Sequence, residues 1–454
     1  MKQKLFVFFL AVICLVGTIT PMQALAASDP PQIQAESALL MDVSTGQVLY
    51  EKNMTAQLPV STLAKIMTAI LAIENKTLSD TVTISESAID SAVAPRKSSH
   101  ISLVEGEELM LEQLLYAMLV QTANDAANAV AEYVSGSLDA FVELMNTKAQ
   151  EIGCKNTHFV NPTGLDADGG YTTAYDMALI TRYAARSDTF ASIFSAKEYV
   201  VPKTNKSASR KFTTGCGMLK EGENYYDYLT GGFSGWTSES KYCCASTAAK
   251  GEKNFVCIVL KGTGTDTRYE DSKALFEYGF NNFSKVTLKS TDIPCPTIDI
   301  VTDGTKTGEV RTSFDKDVTL WLYDGLSLLD LSVKNDAPQT YPADPTSAPN
   351  MIITVNSDKM YATVIQTPYQ MTVTHGVYQQ TDENGSSENG FVSFLKIVGI
   401  LILILVICAV IFIVIVRIVR GRRRKRLRQA RRRAARRGGF DDSYSRRSRT
   451  GRRR

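Results

Sequence analysis

The chain is 454 residues long, 44% hydrophobic and 21% charged, with a net charge of only +3. At that length large cores form without covalent staples, which excludes a small disulfide-built scaffold. Its three histidines and eight cysteines show no CxxC and no His/Cys ligand spacing, so neither a metal nor another cofactor is expected.

Residues 1–26 carry two early lysines, an apolar run from Leu5 to Val16, and the small-x-small sequence Ala24-Leu25-Ala26. This is the pattern of a secretory signal peptide, and the apolar run is short for a membrane span. Residues 35–52 alternate apolar and polar around an Asp-x-Ser-Thr-Gly turn, predicting a hairpin. Apolar residues at three- and four-residue steps then predict helices over 62–73, 110–134, 138–152 and 172–186. Strand patterning returns on either side of the Lys-Gly-Glu-Lys turn at 250–253. Residues 27–283 therefore form a first domain, a sheet interleaved with helices.

From 284 to 375 short strand-like runs alternate with turn residues, and no helical period appears, so a small all-β, sandwich-like domain is expected. Residues 376–392 are mostly polar and rich in Gly and Ser, the composition of a flexible stalk. Within 393–416, the twenty residues 397–416 carry no charge and are long enough to span a bilayer core of ~30 Å. The tail 417–454 holds 19 Lys/Arg against two acids, a charge of +17 that leaves −14 for residues 1–416. Such a block stays on the cytoplasmic side and lies against anionic lipid. Arg runs also bind phosphates without specificity, so no specific nucleic-acid partner is expected. The result is a single-pass protein of the cell membrane, with residues 27–392 outside. Cys14 lies in the signal and Cys408 in the membrane. The other six cysteines allow fifteen pairings, and bridges and free buried thiols both stay open.

One stretch raises the question of chemistry. In "LPVSTLAKIMTAI", residues 58–70, a helix opens with Ser61, Thr62 and, three residues after Thr62, Lys65. Together with "ALLMDVSTGQVLYEKN", "LLYAMLVQTANDAANAVAE", "NTHFVNPTGL", "TTAYDMA" and "GWTSES", it resembles the D-alanyl-D-alanine carboxypeptidases. These are low-molecular-mass penicillin-binding proteins of the serine peptidase S11 family. The resemblance covers residues 35–283 in the family's order. It implies a mixed α/β penicillin-binding or β-lactamase-like transpeptidase domain, of α+β type, followed by a β-rich one. It also implies cleavage of the terminal D-alanine from peptidoglycan stem peptides through an acyl-enzyme, with β-lactams as acylating ligands.

All three motifs of that family are altered here. Its nucleophile position, three before Lys65, is Thr62, with Ser61 as the alternative, since both lie within ~60° of Lys65 around a helix. The second motif is Thr122-Ala123-Asn124, with threonine for serine. The third is Phe233-Ser234-Gly235, followed by Trp236 and Thr237, with phenylalanine for the strand's lysine. The resemblance thus places Thr62 (or Ser61), Lys65, Thr122 and Asn124 as catalytic residues. It places Phe233, Ser234, Gly235, Trp236 and Thr237 against the substrate. Gly170 stands where many relatives carry histidine. His158 is expected in a structural loop, His100 and His375 at the surface, and Asp176 as a capping or packing carboxylate. Two functions stay open, a D-Ala-D-Ala carboxypeptidase and a silent relative that binds wall peptides or wall proteins. A β-lactamase is disfavoured, because the deacylating carboxylate of that class has no counterpart.

Overall fold

The structure is a computed structural model. It describes residues 29–93 and 98–289, then the segments 297–302, 305–314, 317–326, 331–335, 340–341, 351–355 and 371–376. The expected signal peptide, membrane segment and tail, and the stalk after 376, lie outside the described residues. Among the described residues no helix is long and apolar enough to cross a membrane.

The strands β1 (Ser37–Asp42) and β2 (Val48–Lys52) form the expected hairpin. The Asp42 carboxylate accepts bonds from Ser44 Oγ, Thr45 N and Thr45 Oγ1 at 2.6–2.7 Å, which closes its turn. A 3-10 turn at Ser61–Leu63 leads into α1 (Ala64–Asn75). Helix α1 is apolar on nearly every side, the mark of a helix buried all round, and its residues Ala64 to Ala72 are all buried. After the short strand β3 (Thr81–Thr83) come α2 (Glu86–Val93) and β4 (Glu108–Met110), which pairs with β3.

The single helix expected over 110–134 is two, α3 (Leu111–Val120) and α4 (Asn124–Ser135). The break falls at Thr122, whose φ of +61° ends one helix and sets the direction of the next. Helix α5 (Leu138–Ile152) starts on Ser137, whose Oγ accepts from Ala140 N, and stops at Gly153 with φ +100°. Both are standard helix caps. Next come α6 (Ala174–Ala184), α7 (Asp188–Phe194) and the hairpin β5 (Glu198–Val201) with β6 (Arg210–Thr213).

The strands β7 (Leu229–Thr237), β8 (Lys241–Lys250) and β9 (Lys253–Gly262) complete an antiparallel sheet in the order β2-β1-β9-β8-β7. Strand period sorts its two faces. Leu39, Met41, Val256, Ile258 and Leu260 join α1 and the other helices in one core. Leu40, Phe255, Cys257 and Val259 join α8 (Thr267–Asn282) in a second core on the opposite face.

Helix α8 runs directly into β10 (Phe283–Leu288). All further regular elements among the described residues are strands, β11 (Thr297–Thr302), β12 (Thr305–Phe314), β13 (Val318–Tyr323), β14 (Leu331–Asn335), β15 (Thr340–Tyr341), β16 (Met351–Val355) and β17 (Met371–Gly376). β10 pairs with β13, β14 with β16, and β15-β11-β12-β17 make a four-stranded sheet. Gln47 ties β13 to the first domain, donating to Trp321 O at 2.6 Å and accepting from Trp321 N at 2.7 Å.

Candidate active site

The helix start, the α3–α4 break and strand β7 meet around a cleft of about 640 Å³. Its walls include Thr62, Thr122, Asn124, Gly235, Trp236 and Arg268. The two hydroxyls of the opening stretch separate here. Thr62 lines the cleft, whereas Ser61 lines a smaller cavity of about 340 Å³ behind the 164–166 loop. Ser61 has φ +64°, a strained conformation of the kind that persists where surrounding packing enforces it, often at functional sites. Thr122 is the second such residue, and a β-branched side chain makes positive φ costlier still. Of the six non-Gly residues at positive φ among the described residues, Ser61 stands next to Thr62 and Thr122 itself carries a cleft hydroxyl.

Strand β7 passes against Thr62. A Cβ placed on Gly235 would lie 1.6 Å from Thr62 Oγ1, so only glycine lets the strand come this close. Likewise a Cβ on Gly164, at φ +69°, would lie 1.8 Å from Ser61 O. Both the Ser61 and the Thr62 hydroxyls are buried and lack a hydrogen-bond partner.

Lys65 is the second residue of α1 and is fully buried. Its Nζ donates to Asn124 Oδ1 at 2.5 Å and to Thr163 O at 2.6 Å. Burial lowers its pKa to about 7, and the charge of Asp125 opposes that shift. Asp125 is occupied as well, accepting from Leu103 N at 3.0 Å and from Ile101 N. It thereby holds the loop whose Ser98 and Ser99 form the near rim.

On β7, Ser234 Oγ donates to Gly215 O at 3.2 Å and meets Tyr269 OH at 2.9 Å. Thr237 Oγ1 is bonded within the following turn, to Ser240 Oγ at 2.6 Å. Trp236 stands at the rim, 53% exposed. Phe233 lies elsewhere than expected. It is buried in the helix-side core, pairs with Ala245 of β8, and is absent from the cleft wall.

Arg268 is the charged, buried cleft residue that the sequence reading missed. It is buried, and it donates to Gly235 O at 2.8 Å and to Tyr269 OH at 3.0 Å. Its Nε has no partner. A sequence signal existed, since Arg268 occupies the first turn of α8, the end where the helix dipole disfavours cations. Asp176 accepts from Asn156 N at 2.7 Å and Thr157 Oγ1 at 2.8 Å, a structural role. His158 and His100 are exposed and outside the cleft, and the side chain of His375 lies outside the description. A Cβ on Gly170 would meet Val160 Cγ2 at 3.0 Å. The five described ectodomain cysteines, Cys154, Cys216, Cys243, Cys244 and Cys257, are buried and free. Cys295 lies outside the described residues. Among the described residues no three of His, Cys, Asp and Glu converge as metal ligands.

Residues 23–264 match the D-alanyl-D-alanine carboxypeptidase family, peptidase S11. The D-alanyl-D-alanine carboxypeptidase DacF of Bacillus subtilis is 33% identical over 256 residues, covering 55% of this chain and 63% of that protein. The chain thus spans under two thirds of that relative's length. The carboxypeptidase of Streptomyces sp. strain K15 is 31% identical over 276 residues, 58% of this chain and 93% of its own. The crystal structure of the Streptomyces K15 DD-transpeptidase superposes with a TM-score of 0.52 at 28% identity, covering 56% of this chain and 99% of that one. The first domain therefore has the mixed α/β fold of penicillin-binding transpeptidases, and the chain belongs to the D-alanyl-D-alanine carboxypeptidase family, peptidase S11.

Proposed function

We propose that the cleft performs acyl transfer on peptides ending in D-alanyl-D-alanine, with Thr62 as nucleophile and Lys65 as its base. The observation that carries this reading is the state of Lys65. A neutral amine has two hydrogens and one lone pair. Both hydrogens have carbonyl acceptors, Asn124 Oδ1 and Thr163 O, so the lone pair is left for the Thr62 hydroxyl proton. A pKa of about 7 keeps a large fraction of the amine neutral near neutral pH, as a general base requires.

Thr62 Oγ1 then attacks the carbonyl of the penultimate D-alanine while Lys65 takes its proton. The opening turn at Ser61–Leu63 offers backbone N–H groups that have no partner inside the helix, donors for the developing oxyanion. Protonated Lys65 returns its proton to the amine of the departing D-alanine. Water next attacks the acyl-Thr62 ester, releasing the shortened peptide and regenerating the hydroxyl. The substrate's terminal carboxylate meets Arg268, whose place in the cleft wall supplies a cation where Phe233 supplies none. Anchored by residues 393–416, the site faces peptidoglycan outside the cell. The basic tail lies on the cytoplasmic leaflet.

A second reading, binding of wall peptides without turnover, draws on Thr62. Its methyl group restricts χ1 beside an attacking oxygen, and its hydroxyl is not bonded to Lys65. Fluorescent penicillin separates the two. Acyl transfer predicts a covalent band that is lost in Thr62→Ala and kept in Ser61→Ala, with D-alanine release above a Lys65→Ala control. No band and no release would leave binding alone.

A further inference from the structure

We propose that Cys216 and Cys244 form a disulfide that pins the loop behind the cleft to strand β8. The two residues approach from different elements. Cys216 follows Gly215 in the connection between β6 and β7, and Cys244 lies on β8 opposite Ser234 of β7. Cys216 Sγ lies over Gly232 of β7, where a Cβ would come within 2.8 Å of it, and in the same core as Cys244. The missing side chain leaves the room that the thiol occupies. Both cysteines belong to the core under α8, close enough that each thiol is the main influence on the other's ionisation.

The pair is also chemically unequal. In the folded chain Cys244 is the main cause holding the Cys216 thiol below its ordinary pKa, despite burial. Cys244 is pushed well above, by Cys216 and by burial. The other thiols are placed less favourably. Cys243 belongs to the opposite, helix-side core. Cys257, on β9, pairs with Ser246 rather than with Cys244, which makes it the competing partner.

The oxidant is a disulfide of the small-thiol or thiol-oxidoreductase class, met in the oxidising compartment that the proposed export implies. Cys216 thiolate attacks one sulfur of that disulfide, forming a mixed disulfide and releasing one thiolate. Cys244 loses its proton and attacks Cys216 Sγ, closing the bridge and releasing the second thiolate. Two protein thiols are oxidised, one external disulfide is reduced, and the two protons leave on the two released thiols. Both side chains are buried in the fold, so the exchange belongs to folding, before the loop closes.

The bridge would act one residue from the cleft. Gly215 O receives Ser234 Oγ and Tyr269 OH at 3.2 and 3.1 Å, and Gly215 itself lines the cleft. Fixing Cys216 therefore fixes that wall.

The test uses the full chain in detergent, refolded in oxidised glutathione or in dithiothreitol. Alkylation and non-reducing digestion follow. The oxidised sample should yield one peptide pair joined through Cys216 and Cys244, lighter by two hydrogens than the separate peptides. Its melting temperature should exceed that of the reduced sample on the order of 5–10 °C, and Cys244→Ala should abolish the difference. If Cys244→Ala fails to fold, Cys216→Ser serves for the comparison, and the peptide map of the unaltered chain needs no variant. Full alkylation of both cysteines after oxidation, or a Cys244–Cys257 link, would overturn the proposal.

Discussion

Replacing Lys65 by methionine keeps most of the side chain's length while removing the titrating group. In the folded chain Lys65 has a pKa of about 7, against 10.5 for a free side chain. Below pH 7 the lysine is protonated in both states, and the folded chain bears the full cost of burying a charge. Between pH 7 and 10.5 the unfolded chain binds a proton that the folded one does not, so stability rises with pH across that window. The gap of about 3.5 units corresponds to about 5 kcal/mol in all, or at most about 1.4 kcal/mol per pH unit. Lys65→Met removes this dependence. It adds a pH-independent loss of about 1–3 kcal/mol for each of the two acceptors left bare, Asn124 Oδ1 and Thr163 O. The measurement is urea unfolding of a soluble form ending before residue 379, wild type and variant, from pH 6.5 to 9.5. Wild-type stability minus variant stability should climb with pH by several kcal/mol, while other titrating groups cancel in the difference. Penicillin acylation of the wild type should rise through the same pH range, as the amine loses its proton. A flat difference would refute the reasoning, because it would mean that Asp125 keeps the lysine charged.

Thr122→Asn should raise the melting temperature, because asparagine tolerates φ near +61° where a β-branched residue costs about 1–2 kcal/mol. The same variant should slow penicillin acylation, since the hydroxyl leaves the cleft. Gly235→Ala should abolish acylation outright. A Cβ at 1.6 Å from Thr62 Oγ1 forces strand and helix apart, whereas Gly251→Ala, with nothing within 4 Å, should leave acylation intact. Phe233→Lys should lower stability by about 3 kcal/mol or more, as a charge enters an apolar core without a partner. Thermal melting beside labelling checks it, and a variant both stable and faster in acylation would show that the lysine finds its way into the cleft.

Much of this site could be read before any coordinates, for a physical reason. Thr62 and Lys65 lie in a 3-10 turn and the helix it opens, where a spacing of three residues puts two side chains on one face. Asn124 opens α4 two residues after Thr122. The β1–β2 hairpin and the β8–β9 pair were equally legible, because strand alternation and turn residues agree. The break between α3 and α4 was hidden, since apolar residues keep their helical period on both sides of Thr122 and the period cannot register one residue at positive φ. Arg268 was hidden for a different reason. It reaches the cleft from a helix more than thirty positions beyond the β7 residues whose carbonyl it holds, and only the fold brings them together.

Phe233 shows why residue identity and residue role separate. Strand β7 turns Phe233 and Gly235 to the same face, the face that also holds Thr62. A long cation at 233 could run along that face into the cleft, whereas a phenyl ring gains more by joining the helix-side core where it is found. The loss of that cation removes one charge that would depress the pKa of Lys65. Burial depresses it even so, and is the larger effect, against the opposing charge of Asp125. The low pKa of Lys65 therefore does not depend on a strand lysine. What the change does remove is an anion anchor on the Thr62 side of the strand. Arg268 holds the carbonyl of Gly235 and comes from α8, which packs on the opposite face of the sheet. On the proposed reading, anchoring the substrate carboxylate and activating the nucleophile fall to cations that come from elements on opposite faces of the sheet. That separation predicts that the two functions respond independently to mutation, with Arg268→Leu weakening substrate binding while the pH at which Lys65 titrates stays in place.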